Sequence, residues 1–467
     1  MRQRLTLAGA MVAILGGLVG VGQAADWPQW MGPQRDGIWR ETGLVASFPA
    51  EGAKVLWGQR GGFGYTGPAV ADGKVYLMDR RRAVDADGNE VKPDREKGIP
   101  GDERIVCFDA KSGQQLWEHR YERAYKISYP FGPRTTPLVE GQHVWCLGAM
   151  GDLWCLDKDK GSVVWHKELA KEYGLKEQPS LDDLSVGSTP IWGYAAHPLI
   201  DGELLYCLVG GPGSVIVAFE KNTGKEVWRN LTAGEVGYSP PVIQTLAGRK
   251  QLIVWHTEAI NGLDPITGKL FWTVPYPAEG KPQRPAVSIV TPVVVGDQVF
   301  ITAFYNGPML IEVKPGDPPT AEVVWRGKST NPLRPDGLHS IMATPVIRNG
   351  HIYGVCGMGE LRCLELATGK QLWQTYEATT GKKADCGTAF LVPIGEGNRF
   401  VLFNDQGELV LADLTPEGYH QVSRARILEP VQAARGRTVV WSHPAFANKC
   451  VFARNDKEIV CVSLAAQ

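Results

Sequence analysis

Several features are missing from this 467-residue sequence. Its nine cysteines include no adjacent pair and no CxxC spacing, which excludes the usual thiolate metal and redox motifs. The nine histidines form neither HxH nor HExxH, so no zinc-hydrolase motif is present. No GxxxxGK[ST] run occurs, the GxGxxG run from Gly62 to Gly67 has no helix behind it to form a phosphate cradle, and no GxSxG occurs, which excludes the hydrolase nucleophile elbow. The net charge is only -1, from 49 basic and 50 acidic side chains, so there is no electrostatic footprint for nucleic acid. Charged residues reach only 21%, and glycine follows no triplet period, which argues against disorder and collagen. Beyond the amino terminus there is no apolar run long enough to span a bilayer.

The amino terminus itself reads as a targeting segment. Arg2 and Arg4 precede an apolar run from Leu5 to about Val21, and the small residues Gly22 and Ala24 follow. That order is the layout of a secretory signal peptide cut near Ala24. No Cys stands at the junction to accept a lipid. The expected organisation is a signal peptide (1–24), an extension packed on the domain surface (25–53) and one domain (54–467). The expected location is the periplasm or the exterior of a bacterium, with no membrane anchor after cleavage.

Glycine (55), proline (32) and tryptophan (15) are abundant, and a repeat explains them. Runs ending in Trp117, Trp165, Trp228, Trp272 and Trp373 read strand, acidic residue, Thr-Gly-Lys-like turn, strand, Trp, and a variant, PTAEVVW, ends at Trp325. This is a β-hairpin pattern in which the turn glycine supplies positive φ. Upstream of each lies a proline, a short apolar stretch, a glycine turn and an aromatic-rich strand. The anchors are Pro68, Pro137, Pro190, Pro240, Pro292, Pro345 and Pro444, with a degenerate copy near Phe390. Pro137 to Pro444 gives six steps of about 51 residues, the period of a propeller blade. Eight units start near 66, 135, 189, 239, 291, 344, 388 and 441.

The last unit has only three strands. Lys54-Val55-Leu56-Trp57 has the fourth-strand pattern and stands before the first unit, so it is expected to close the ring. The fold class is therefore all-β: an eight-bladed β-propeller of four-stranded antiparallel blades, closed by an N-terminal strand. The seventh unit lacks its Trp, and the first carries an insertion from Arg80 to Arg104. Cys146 with Cys155, and Cys356 with Cys363, are candidate cross-hairpin disulfides.

These repeats resemble the tryptophan-docking units of the pyrroloquinoline-quinone-like propeller superfamily. They resemble the quinone-dependent dehydrogenases and the assembly lipoprotein family BamB alike. WPQWMGPQRDG, between Trp27 and Gly37, resembles the start of exported planctomycete-type members. Resemblance to the dehydrogenases implies a cofactor clamped by vicinal cysteines, a stacking Trp, calcium and an Asp base. The vicinal cysteines are missing here, and so is the acylated Cys of the lipoprotein.

Four local signals carry candidate chemistry. Asp85, Asp87 and Asn89 with Glu96 at the twelfth place resemble a calcium loop, although position six is Glu90 rather than Gly. A polar ring precedes the innermost strands, where loops circle one mouth of the channel: Arg134, Asp183, Glu235, Arg284, His339, Asp385 and His443. Aromatic residues Tyr65, Tyr129, Phe131, Tyr238 and Trp441 accompany it. Ser340, His443 and Asp385 contain the groups of a hydrolytic relay, without its motif. Gly61 to Tyr65, GGFGY, has no helix behind it and reads as a connection between blades.

Two functions follow. The first is a non-catalytic exported scaffold that binds a protein or glycan at the channel mouth or on a propeller face, with no cofactor and no nucleic acid. The second, implied by the resemblance, is a dehydrogenase of alcohols or sugars using pyrroloquinoline quinone with calcium, in which Asp183 or Asp385 is the only nominable base. A component of envelope assembly is a third reading.

Overall fold

The computed structural model of the chain describes residues 26–94, 98–176, 187–279 and 285–466. The signal segment, Glu96, Asp183 and Arg284 lie outside the described residues.

The hairpins form for local reasons. At the end of a third strand an acidic side chain caps the turn: Asp109 Oδ1 accepts from the Lys111 and Ser112 amides, and Asp264 Oδ1 from those of Ile266 and Thr267. The turn glycine then takes positive φ, as at Gly113 and Gly268. Alternation of the apolar residues places one face of each strand against the next sheet.

Eight four-stranded antiparallel sheets result. Blade one is Ala69–Ala71, Lys74–Arg82, Gly101–Asp109 and Gln115–Glu122. Blade eight is Ala445–Ala447, Cys450–Arg454 and Glu458–Ser463, and its outer strand is Lys54–Arg60, paired antiparallel with Glu458–Ser463. The ring is thus closed by the amino-terminal strand.

The docking tryptophans join neighbouring blades. Each outer strand has a β-bulge, and the Trp lies beside it, opposite a residue of the third strand: Trp57 opposite Cys461, Trp117 opposite Cys107, Trp373 opposite Cys363. Each of these indoles donates Nε1–H to a carbonyl of the next blade's hairpin. Trp57 donates to Ala110 (2.9 Å), Trp117 to Lys158 (3.0 Å) and Trp373 to Thr415 (2.8 Å). The turn glycines lie under these rings, so that a Cβ on Gly113 would stand 2.7 Å from Trp57. Trp272 departs from the rule. The next hairpin, around Gly316-Asp317-Pro318, lacks the TGK turn, and Trp272 instead bonds Gln251 Oε1 within its own blade and covers Gly262.

Blade seven, Ala389–Pro393, Arg399–Asn404, Glu408–Thr415 and Gly418–Arg426, holds Ser423 at the docking position, opposite Leu411 and beside the bulge. Phe48, before the closing strand, is buried in the cluster that contains Leu411 and Ala425, and its amide donates to Ser423 Oγ.

Three expectations need correction. The anchor of blade three is Pro198, directly before Leu199–Asp201; Pro190 instead sits in a turn that accepts from the Gly193 amide. The insertion in blade one is shorter than Arg80 to Arg104, because Arg82 still pairs with Gly101 and Asp79 with Arg104. All nine cysteines are free and buried. Cys155 pairs opposite Trp145 while Cys146 pairs opposite Trp154, so the two thiols point to opposite faces of the sheet. Cys356 Sγ instead accepts from the His339 amide and points at the Gly337 carbonyl.

Candidate functional site at the channel mouth

In each blade the innermost strand is entered from the same face, so the connections leading into the blades share one mouth with the loops between second and third strands. There the channel widens into a cup of about 790 Å³. This volume lies within the usual range of small-ligand sites. Its wall is aromatic and aliphatic. Tyr65, Tyr129, Tyr238 and Trp441 come from the blade connections, as does Trp192; Phe304, Tyr305 and Met358 come from the inner hairpin loops.

The floor is built by the N-terminal extension. Trp27 pairs with Val70, and Pro28 O accepts from Val139 N, which carries the segment across successive inner strands. Trp30 then lies over the axis. Its ring stacks on His197 (4.2 Å between centroids, 3°), meets His443 edge-on (4.3 Å), and its Nε1 donates to Thr291 Oγ1 at 2.8 Å. A second cavity of about 50 Å³ lies beyond, and Trp30, Phe390 and His443 line both. These three side chains stand between the two cavities.

The two floor imidazoles are neutral. Burial pushes His443 down to about 3 and His197 well below its ordinary value, with His443 and Arg35 adding repulsion at His197. The Thr136 amide donates to His197 Nδ1 at 2.9 Å, so the proton of this ring sits on Nε2. Thr136 Oγ1 and His443 Nε2 are 2.6 Å apart.

Among the described residues three charged side chains line the wall: Arg134, Arg435 and Asp385. Arg134 is half-buried over the Tyr65 ring at 5.0 Å. It donates to the carbonyls of Tyr129 (2.7 Å), Ser128 (3.2 Å) and Gly132. Burial pushes its pKa down, yet a guanidinium keeps its charge. Asp385 is exposed and lies 3.8 Å from Arg435.

Of the ring of residues anticipated from sequence, the cup brings together Tyr65, Tyr129, Arg134, Tyr238, Asp385, Trp441 and His443. Glu235 stands behind the wall, accepting from Tyr238 Oη (2.9 Å) and the Ala286 amide (3.2 Å). His339 is fully buried beneath the Phe304 loop, with Nδ1 2.9 Å from the Phe304 carbonyl. Phe131 packs on Tyr65 and Phe63. The groups of the supposed relay do not bond one another: His443 contacts Thr136, Asp385 faces Arg435, and the Ser340 hydroxyl is buried without a hydrogen-bond partner among the described residues. Asp85, Asp87 and Asn89 form an exposed turn in which Asp85 Oδ1 caps the amides of the other two. GGFGY links blade eight to blade one, with Gly62 N on Asp79 and Gly64 N on Asp456.

The cup does not suit a calcium-bound quinone. Calcium takes six to eight oxygen ligands, and Asp385 is the only carboxylate among the described wall residues. Among the described residues no group of three His, Cys, Asp or Glu is placed to hold a metal ion.

The comparisons with known proteins agree with the repeat. The family model described as outer membrane protein assembly factor BamB matches residues 101–320 and 316–467. The BamB of Moranella endobia is 25% identical over 272 residues, covering 56% of this chain and 61% of that protein. The BamB of Yersinia pestis is 23% identical over 285 residues, covering 59% and 64%. The chain therefore spans under two thirds of the length of these curated relatives. In fold it is similar to the crystal structure of BamB from Moraxella catarrhalis, with a TM-score of 0.52 and 15% identity over 89% of this chain and 98% of that one. The chain belongs to the BamB family of eight-bladed propellers built from pyrroloquinoline-quinone-like repeats.

Proposed function

We propose that this protein is an exported, non-catalytic scaffold of the bacterial envelope that holds a partner protein at the aromatic mouth of its propeller. The observation that carries this reading is the cup itself: walled by aromatic side chains and formed by converging loops from blades around the ring. Aromatic anchors in a desolvated pocket are the usual source of protein-docking energy. The family description, an assembly factor, points the same way. The signal-like amino terminus supports export.

Site-specific photo-crosslinking in the native cells tests it. A benzophenone amino acid replaces Leu333, which lines the cup and is 60% exposed, or Ile266, 74% exposed on a hairpin turn at the opposite face. The reading expects one discrete protein adduct from position 333 and none from position 266. Adducts only from 266, or from neither, contradict it.

A further inference from the structure

Among the described lining residues the cup holds two guanidinium groups, Arg134 and Arg435, and one carboxylate, Asp385. Arg134 has no carboxylate within ion-pair distance among the described residues; its recorded donors all go to carbonyl oxygens. Below the floor, Arg35 is in the same state. It is held by the carbonyls of Pro198 (2.9 Å) and Pro241 (3.4 Å), and burial pushes its pKa down to about 9. Arg435 is the second guanidinium of the wall, 3.8 Å from Asp385, the one carboxylate among the described lining residues. The floor contributes a donor as well. His197 is 7% exposed, its Nδ1 is an acceptor, and its Nε2–H has no protein acceptor among the described residues. Cations in a low-dielectric site without counter-charge are costly, and an incoming anion relieves that cost.

The rest of the wall excludes a strongly hydrated ion. Trp192 tilts against Tyr238 at 5.2 Å, and Phe304, Met342, Met358 and Trp441 complete an apolar surface. An inorganic phosphate would leave this surface unfilled. A large aromatic or aliphatic group carrying one negative charge would satisfy both halves.

We propose that the cup recognises an apolar monoanion: an aromatic or aliphatic body seated among Trp192, Tyr238 and Trp441, with a carboxylate directed to Arg134. This rests on the reading of the mouth as the docking site and specifies what the partner inserts, an apolar segment bearing an acidic group. Arg134 then decides the charge selected, and Trp30 with His197 sets the depth.

The test uses the exported chain and two probes that differ only in charge, 3-(2-naphthyl)propionate and its primary amide, followed by tryptophan fluorescence and calorimetry. The carboxylate is expected to bind saturably and about tenfold more tightly than the amide, the gain typical of a charge-assisted hydrogen bond. Arg134→Gln should bring the carboxylate down to the amide's affinity and leave the amide unchanged. Trp192→Ala should weaken both. Equal affinity of the two probes for the unaltered protein would overturn the proposal without any variant being made. So would failure of both to bind. Equal affinities alongside a crosslink at position 333 would reject the charge preference alone; no crosslink would reject the docking reading itself.

Discussion

The amide of Phe48 donates to Ser423 Oγ at 2.9 Å, at the blade position where a docking indole is missing. Blade seven has a serine beside its bulge, and the N-terminal extension supplies the aromatic ring for that seam. Phe48 is therefore expected to act as a substitute for the absent tryptophan. Phe48→Ala should lower stability by about 3 kcal/mol, the lower range for a buried Phe. Leu116→Ala, on an exposed outer-strand position, should change it by less than about 0.5 kcal/mol. Denaturant unfolding monitored by fluorescence distinguishes the two.

Turn glycines under the indoles should be less replaceable than turn glycines in the open. Gly268 and Gly248 have nearly the same positive φ, 71° and 75°. A Cβ on Gly268 would stand 2.4 Å from Trp228, whereas one on Gly248 meets nothing within 4 Å. Both alanine variants carry a backbone cost of about 1 kcal/mol. Only Gly268→Ala should lose clearly more, because the indole must move. Equal melting temperatures for the two would show that the seam does not depend on this contact.

Acid should weaken the fold through its buried imidazoles. His197 and His443 are held neutral, and burial pushes His256 down to about 4. Above the unfolded value near 6.5 neither state binds a proton at these rings. As pH falls below it the unfolded chain takes up protons that the native rings refuse, so stability declines from about pH 6.5 toward the native values. Each ring contributes a slope of about 1.4 kcal/mol per pH unit in that window. His443→Gln should remove one such slope between pH 6 and pH 4, measured by urea unfolding across pH.

Much of the fold was legible because the repeat is a local code. The Trp57 strand, the eight blades and the turn glycines follow from hairpin chemistry repeated in sequence. Pro190 was misread for Pro198 because both stand before apolar residues, and only the pairing of Leu199 with Tyr206 separates them. Part of the cup was legible by the same logic, since Tyr65, Arg134, Tyr238 and His443 sit in the connections into inner strands. Phe304, Tyr305 and Met358 were missed because they lie in the other set of loops on that face. Trp30 was missed as a floor because its placement depends on contacts with Thr291, His197 and His443 far along the chain. The density of tryptophan in WPQWMGPQRDG was the available signal.

The thiols other than Cys386 should be silent in the native protein. Burial raises Cys356 and Cys363 to about 11, which suppresses the reactive thiolate. Ellman's reagent at pH 8 should find no more than Cys386, on the cup wall, before unfolding, and nine thiols in denaturant. Fewer than nine after denaturation would reveal a disulfide.

The central claim, a binding propeller rather than a quinone enzyme, is tested most directly by titrating the purified exported chain with pyrroloquinoline quinone and calcium while following dye reduction with alcohols and sugars. The account predicts no saturable quinone binding and no dye reduction at any calcium concentration. Saturable, calcium-dependent binding accompanied by dye reduction would contradict it.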